Sequence, residues 1–151
     1  HCIYVFCEER DPLIELAKKI SKFLSARISV PELDIGTFMG RISKEQSANI
    51  KEHARIILAT YSFAGTGISM LKATAICLFS SRRAQFRQII ARILRMSSNY
   101  DIPRIVIDLV NDNTPMRNQL EDRLIEYEYY KAKITYQKIL WSTPTPIYLP
   151  V

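Results

Sequence analysis

Gln88, Arg92 and Arg95 are the side chains in this sequence whose types and spacing point most directly to chemistry. In Gln88-Ile-Ile-Ala-Arg-Ile-Leu-Arg95, Gln88, Ala91, Arg92 and Arg95 recur at i, i+3, i+4 and i+7, which is one face of a helix. Phe86, Ile89, Ile90, Ile93 and Leu94 fall on the opposite face. At the helical rise, Gln88 and Arg95 stand about 10 Å apart along the axis, roughly the reach of a triphosphate. The apolar face can lock the helix on a core while two forked guanidiniums point outward. A planar guanidinium matches phosphate oxygens better than an ammonium does. Small Ala91 leaves room for close approach between the arginines. An amphipathic surface helix with two solvated arginines would carry the same octapeptide, so its surroundings decide the reading.

The second informative stretch is Thr60 to Ser69. Thr60, Ser62, Ala64, Gly65, Thr66, Gly67 and Ser69 follow directly on the apolar run Arg55-Ile-Ile-Leu-Ala-Thr60. Hydroxyls and accessible backbone N–H groups at a strand end suit phosphates, and the two glycines permit close approach. A loop that merely turns the chain would look similar. Three phosphate and metal signatures are absent. No G-x-x-x-x-G-K-[ST] loop occurs, no G-x-G-x-x-G follows a strand, and no paired-carboxylate motif of the Mg²⁺-holding kind follows a strand.

The elements that must position these residues alternate. Cys2–Cys7 is a continuous apolar run, as expected of a strand buried on both faces. Asp11 as cap and Pro12 in the first turn open a helix in which Leu13, Leu16, Ala17, Ile20, Phe23 and Leu24 recur at helical spacing. Glu32 to Phe38 reads as a weaker strand, with Gly36 and Gly40 marking turns. Ser43-Lys-Glu-Gln46 is a capping box opening a short helix. Arg55–Thr60, Thr74–Phe79 and Arg104–Val110 read as further strands. A long closing helix is expected near 115–131, with an apolar stripe of Leu120, Leu124 and Tyr127. Ile134 to Trp141 reads as extended and 142–151 as an irregular tail. Strands alternating with helices predict an α/β fold: a three-layer parallel sheet with helices on both faces. Ligands on such sheets bind at the carboxyl ends of the strands, so the loops after Phe6, Thr60 and Phe79 should form one working edge.

The totals narrow the class. The 151 residues support one domain with a substantial core, and 48% hydrophobic with 24% charged residues is ordinary for a globular chain. A net charge of +6 and a pI near 9.3 favour a polyanionic partner, although a solvated basic surface would account for the excess too. No apolar run is long enough to cross a membrane, and no signal peptide opens the chain. Cys2, Cys7 and Cys77 lie in apolar runs without a C-x-x-C, which reads as buried free thiols in a reducing, intracellular compartment. His53 reads as a helix-end or surface residue, and no metal site is expected. The chain opens on His1 with a strand-like run close behind, which reads as a piece of a longer protein.

Taken together, the sequence resembles the second, carboxyl-terminal RecA-like motor domain of superfamily-two helicases. Gln88-x-x-Ala91-Arg92-x-x-Arg95 is similar to their last motif, Q-x-x-G-R-x-x-R, with Ala91 in place of glycine. Ala59-Thr60 through Gly67-Ile68-Ser69 is similar to the preceding one. The Ile3–Phe6 strand with its helix, Phe38-Met-Gly40 and Arg123-x-x-x-Tyr127 resemble further parts of that domain in the same order. The likeness covers about Ile3 to Tyr130. Ser69, where D-E-A-D members carry aspartate, and Thr66, where they carry arginine, make the form more similar to DNA helicases of phages and large DNA viruses.

The resemblance implies an ATP-dependent DNA helicase or translocase. Arg92 and Arg95 would be arginine fingers toward ATP held, with Mg²⁺, by a first motor domain in cis. Gln88 would orient the attacking water or bind the phosphate, with Gly67 and Ser69 near the nucleotide. Thr60, Ser62, Glu8, Gly40 and Arg41 would contact the nucleic-acid backbone. The same fold in an RNA helicase, a non-catalytic nucleic-acid-binding module, and a small α/β domain for another phosphorylated ligand are the alternatives. If the source is viral, host cytoplasm or virion is the expected location.

Overall fold

Five continuous or alternating apolar runs form five parallel strands. The computed structural model describes residues 2–27, 35–65, 72–80, 86–94, 102–111 and 114–138. Along the chain lie β1 (Cys2–Cys7), α1 (Arg10–Arg27), β2 (Ile35–Phe38), α2 (Lys44–His53), β3 (Ile56–Thr60), α3 (Tyr61–Gly65), β4 (Ala73–Leu78), α4 (Phe86–Leu94), β5 (Ile105–Asp108) and α5 (Met116–Tyr129). The sheet order is β2-β3-β1-β4-β5, and every pairing is parallel. Phe6 aligns with Ala59 and Leu78, Phe38 with Ala59, and Leu78 with Asp108, so all five carboxyl ends share one edge.

Topology and the right-handed crossover rule explain the layers. The β1-to-β2 crossover runs one way across the sheet, and the next three run the other way. Right-handed connections therefore place α1 on one face and α2, α3 and α4 on the other. The buried side chains agree. Leu13, Leu16, Ala17 and Ile20 of α1 pack with Val5, Cys7 and Leu58. Tyr4, Phe6, Ile57, Ala59, Ile76 and Leu78 meet Phe86, Ile89, Ile90, Ile93 and Tyr127 on the opposite face. The expected three-layer parallel sheet is what forms.

Local chemistry sets the element ends. Ser43 caps α2 as the sequence predicts: its Oγ accepts from the Gln46 N–H at 3.1 Å, and the Gln46 Oε1 accepts from the Ser43 N–H at 3.2 Å. His53 ends that helix on the surface. Gly36 is buried where α2 crosses β2. A Cβ there would overlap Ile50 Cγ2 and stand 3.0 Å from Ala54 Cβ. Ile50 is β-branched and cannot easily turn away. Gly36→Ala is therefore expected to destabilise the chain by about 1–3 kcal/mol, read as a lower melting temperature. Melting unchanged from the parent would show that α2 can lift off β2 at no cost.

Several sequence expectations shift. α1 begins at Arg10, so Asp11 sits inside its first turn rather than capping it. Among the described residues, β2 begins at Ile35. The segment after β3 is not a plain loop, because Tyr61–Gly65 coil into one helical turn. Leu94 stays exposed, and the buried face of α4 is Phe86, Ile89, Ile90 and Ile93. α5 runs from Met116, with Pro115 just before it, and ends at Tyr129. Residues 132–138 are in neither helix nor strand, and 139–151 lie outside the described residues.

Candidate nucleotide and nucleic-acid site

Of the residues singled out on the sequence, Glu8, Gly40, Arg41, Thr60 and Ser62 stand at or just after strand ends on the carboxyl edge of the sheet. Cys7 aligns with Thr60. The chain leaving β1 turns toward the α1 face, while those leaving its neighbours β3 and β4 turn to the other. Such divergence opens a crevice beside the central strand, where ligands of parallel sheets bind. Glu8 follows β1, and its N–H donates to Ser80 Oγ after β4 at 2.7 Å. The Phe79 N–H donates to the Phe6 carbonyl at 2.8 Å, extending the β1–β4 ladder to the rim. The Thr60 and Ser62 hydroxyls are hydrogen-bonded to each other at 2.8 Å, with Ser62 exposed. The loops after β1, β3 and β4 thus form the single edge the sequence predicts.

α3 holds that rim in place. Tyr61 is buried, stacks on Phe6 with centroids 5.7 Å apart, and donates its hydroxyl to the Ser80 carbonyl. Burial raises the Tyr61 hydroxyl above its ordinary pKa, so it stays a donor. The same burial pushes the Cys77 thiol up to about 11. All three cysteines are free thiols, Cys2 and Cys7 buried and Cys77 partly so.

Gly40 and Arg41 follow β2 on the same edge. Gly40 has φ +83, a left-handed backbone that favours glycine. The Nη1 of Arg10 lies 3.9 Å from where a Gly40 Cβ would stand. Arg10 therefore brings a guanidinium beside Gly40, next in sequence to the exposed Arg41. The sequence reading passed over Arg10 because it belongs to a different element.

α4 presents Gln88 and Arg92 as the octapeptide predicts. Phe86, Ile89, Ile90 and Ile93 are buried, Gln88 is exposed, and Ala91 is half-buried. Arg92 differs from a solvated arginine. It is half-buried, and its Nη1 is shielded from solvent with no hydrogen-bond partner among the described residues. A shielded N–H donor without an acceptor costs free energy, and an anionic ligand oxygen would relieve that cost. Gly67, Ser69 and Arg95 lie outside the described residues.

A buried polar lock stands behind this edge, joining Arg123 and Tyr127 of the closing-helix motif to Asp108, which no sequence pattern pairs with them. Arg123, on the apolar stripe of α5, is the largest fully buried side chain among the described residues. Its Nε and Nη2 donate to Asp108 Oδ2 and Oδ1 at 2.7 and 3.1 Å, a bidentate fork onto the last residue of β5. The Tyr127 hydroxyl donates to Asp108 Oδ2 at 3.0 Å. Burial, then the charge of Asp108, raises the Tyr127 hydroxyl far above its ordinary pKa. Tyr127 also meets Phe86 edge-on, with centroids 5.3 Å apart. Arg87 joins the helices outside: its Nε donates to Glu126 Oε2 at 3.0 Å and its Cζ lies 5.4 Å from the Tyr129 centroid. α4 is thereby tied to α5, and α5 to β5.

Strand order, crossover pattern and a basic helix after β4 define a RecA-like domain. No protein-family model matches the chain. It is 31% identical over 154 residues to the "Putative ATP-dependent RNA helicase QP509L" of African swine fever virus, strain Badajoz 1971 Vero-adapted, covering 98% of this chain and 30% of that protein. The protein of the same name from isolate Pig/Kenya/KEN-50/1950 is 30% identical, again over 98% of this chain and 30% of its own length. The chain thus spans about 30% of these relatives. The crystal structure of the C-terminal part of the Fun30 ATPase domain superposes on 80% of this chain and 38% of its own, with a TM-score of 0.61 and 11% identity. That likeness speaks for the fold. The chain is a superfamily-two helicase carboxyl-terminal RecA-like domain. Among the described residues, no helix is long and apolar enough to cross a membrane.

Proposed function

We propose that this chain is the second motor domain of an ATP-dependent DNA helicase or translocase. The observation that carries the reading is the half-buried Arg92, with its shielded and unpartnered Nη1, on a helix locked by four buried apolar side chains. A guanidinium held in that way is preorganised for charge developing on a transferring phosphoryl group. Arg92 and Arg95 act as fingers toward ATP, and Gln88 positions the attacking water or the phosphate. Gly67 and Ser69 line the nucleotide. ATP and Mg²⁺ are held mainly by a first motor domain elsewhere in a longer protein, since this sequence has no phosphate-binding loop of its own. Alone, the chain does not hydrolyse ATP.

Thr60, Ser62, Glu8, Gly40 and Arg41 grip the nucleic-acid backbone along the carboxyl edge. Contacts of this kind position a strand without reading its bases. Closing the two motor domains on ATP couples turnover to movement.

The Gly-Thr-Gly-Ile-Ser stretch supports DNA as the substrate. The name of the viral relatives favours a second reading, an RNA helicase. Turnover of ATP by the full-length protein, with single-stranded DNA or RNA of matched length added, separates them. DNA is expected to stimulate more strongly. Stimulation by RNA alone would transfer the assignment to RNA, and stimulation by neither would remove the motor reading.

A further inference from the structure

We propose that Tyr129–Lys138, at the end of α5, is a second contact surface for single-stranded nucleic acid, made of residues other than Glu8, Gly40, Arg41, Thr60 and Ser62. The inference rests on the reading that the chain binds nucleic acid and adds to it a place and a mode of binding. Ten residues, Tyr-Tyr-Lys-Ala-Lys-Ile-Thr-Tyr-Gln-Lys, carry three lysines and three tyrosines and no acidic residue. Every residue from Lys131 to Lys138 is exposed, and Tyr129 and Tyr136 stand 68% and 72% exposed. Aromatic rings and cations set together in water match a single strand, which offers stackable bases and a row of phosphates. A protein partner would call for fewer lysines, since charged residues are depleted from the cores of such interfaces.

The backbone at the start of this ribbon is informative. The Ala132 N–H donates to the Tyr127 carbonyl at 2.9 Å and the Lys131 N–H to the Glu128 carbonyl at 2.8 Å. This pair of bonds closes a helix through a left-handed residue, where glycine is the usual choice. Here Lys131 takes that position, with φ +52. A side chain kept where none is the cheaper solution is a reason to look for its use. The turn starts the ribbon beside α4, because Arg87 lies over the Tyr129 ring. That cation already covers Tyr129, and Tyr130 is half-buried against the core, which leaves Tyr136 as the ring for a base.

The test is binding of the chain to a fluorescein-labelled 20-nucleotide polythymidine and to the matching polyuridine, across a salt series. Tyr136→Ala is expected to weaken binding about tenfold, the loss of one stacked base. Lys131→Gly removes a cation while giving the left-handed position its preferred residue. It should reduce the slope of log affinity against log salt by about one, with melting unchanged or raised. Arg41→Ala is the control at the carboxyl edge. If Arg41→Ala weakens binding while Tyr136→Ala and Lys131→Gly bind as the parent does, the ribbon is overturned and the edge reading stands. If the parent chain binds neither probe, the underlying nucleic-acid reading falls, and this proposal with it.

Discussion

Arg92→Ala in the full-length protein is expected to lower nucleic-acid-stimulated ATP turnover on the order of a thousandfold, and Arg95→Ala to do the same. The magnitude follows from the role. A finger stabilises charge that develops in the transition state, so its loss falls on kcat rather than on the fold. Arg92 is only half-buried, and its Nη1 has no hydrogen-bond partner among the described residues. Among the described residues truncating it breaks no ion pair, and melting should stay near that of the parent. Arg92→Lys is the sharper variant, because it keeps the charge but loses the planar fork. It should recover only a small part of the activity. Unchanged turnover in both alanine variants would remove the finger assignment. A loss of turnover that tracks a loss of melting would assign Arg92 to the fold instead.

The second large effect is on stability. Breaking the Arg123–Asp108 pair from one side leaves a charge buried without its partner, at a cost of about 3–5 kcal/mol. The side chains are 1% and 11% exposed, so little solvent screens the loss. For a chain of this size the cost corresponds to a fall in melting temperature on the order of 10 °C. Arg123→Met and Asp108→Leu should each show it. The double variant should recover much of the loss, since no orphaned charge remains and the second Arg123 terminal nitrogen, Nη1, already lacks a partner among the described residues. Tyr127→Phe keeps the ring on Phe86 and removes one hydrogen bond to a charged acceptor, which costs about 1.5–3 kcal/mol. Wild-type melting of Arg123→Met would mean that the apolar contacts of α5, not its polar lock, hold the helix.

Physical reasons separate what the sequence revealed from what it hid. The strands were legible because burial on both faces demands continuous apolar runs, as in Cys2–Cys7 and Ile56–Thr60. α4 was legible because its apolar side chains recur at the helical period, and α2 because Ser43 and Gln46 cap it reciprocally. α3 was hidden. Tyr61-Ser-Phe-Ala-Gly65 has the composition of a loop, and its helical turn depends on Tyr61 reaching Phe6 and Ser80 across the sheet. The lock was hidden for a related reason. Arg123 and Tyr127 stand four apart on one helix, but the residue that gives them meaning is Asp108, on another element. The approach of Arg10 to Gly40 is likewise a property of the fold. Of the candidate site, the face of α4 and the shared edge were readable, while the shielding of Arg92 was not. Leu94 was misassigned because periodicity alone cannot show where the supporting core stops.

The tie between α4 and α5 has a consequence for local unfolding. Phe86 is covered by Tyr127, Arg87 is held by Glu126, and Tyr127 is anchored through Asp108 to the sheet. Peeling α5 away would bare one end of α4, and lifting α4 would strip Tyr127 of its ring partner. The two helices therefore open as one cooperative unit, and the amide protons of α4 inherit protection from a helix 22 positions further along the chain, counted from Leu94 to Met116.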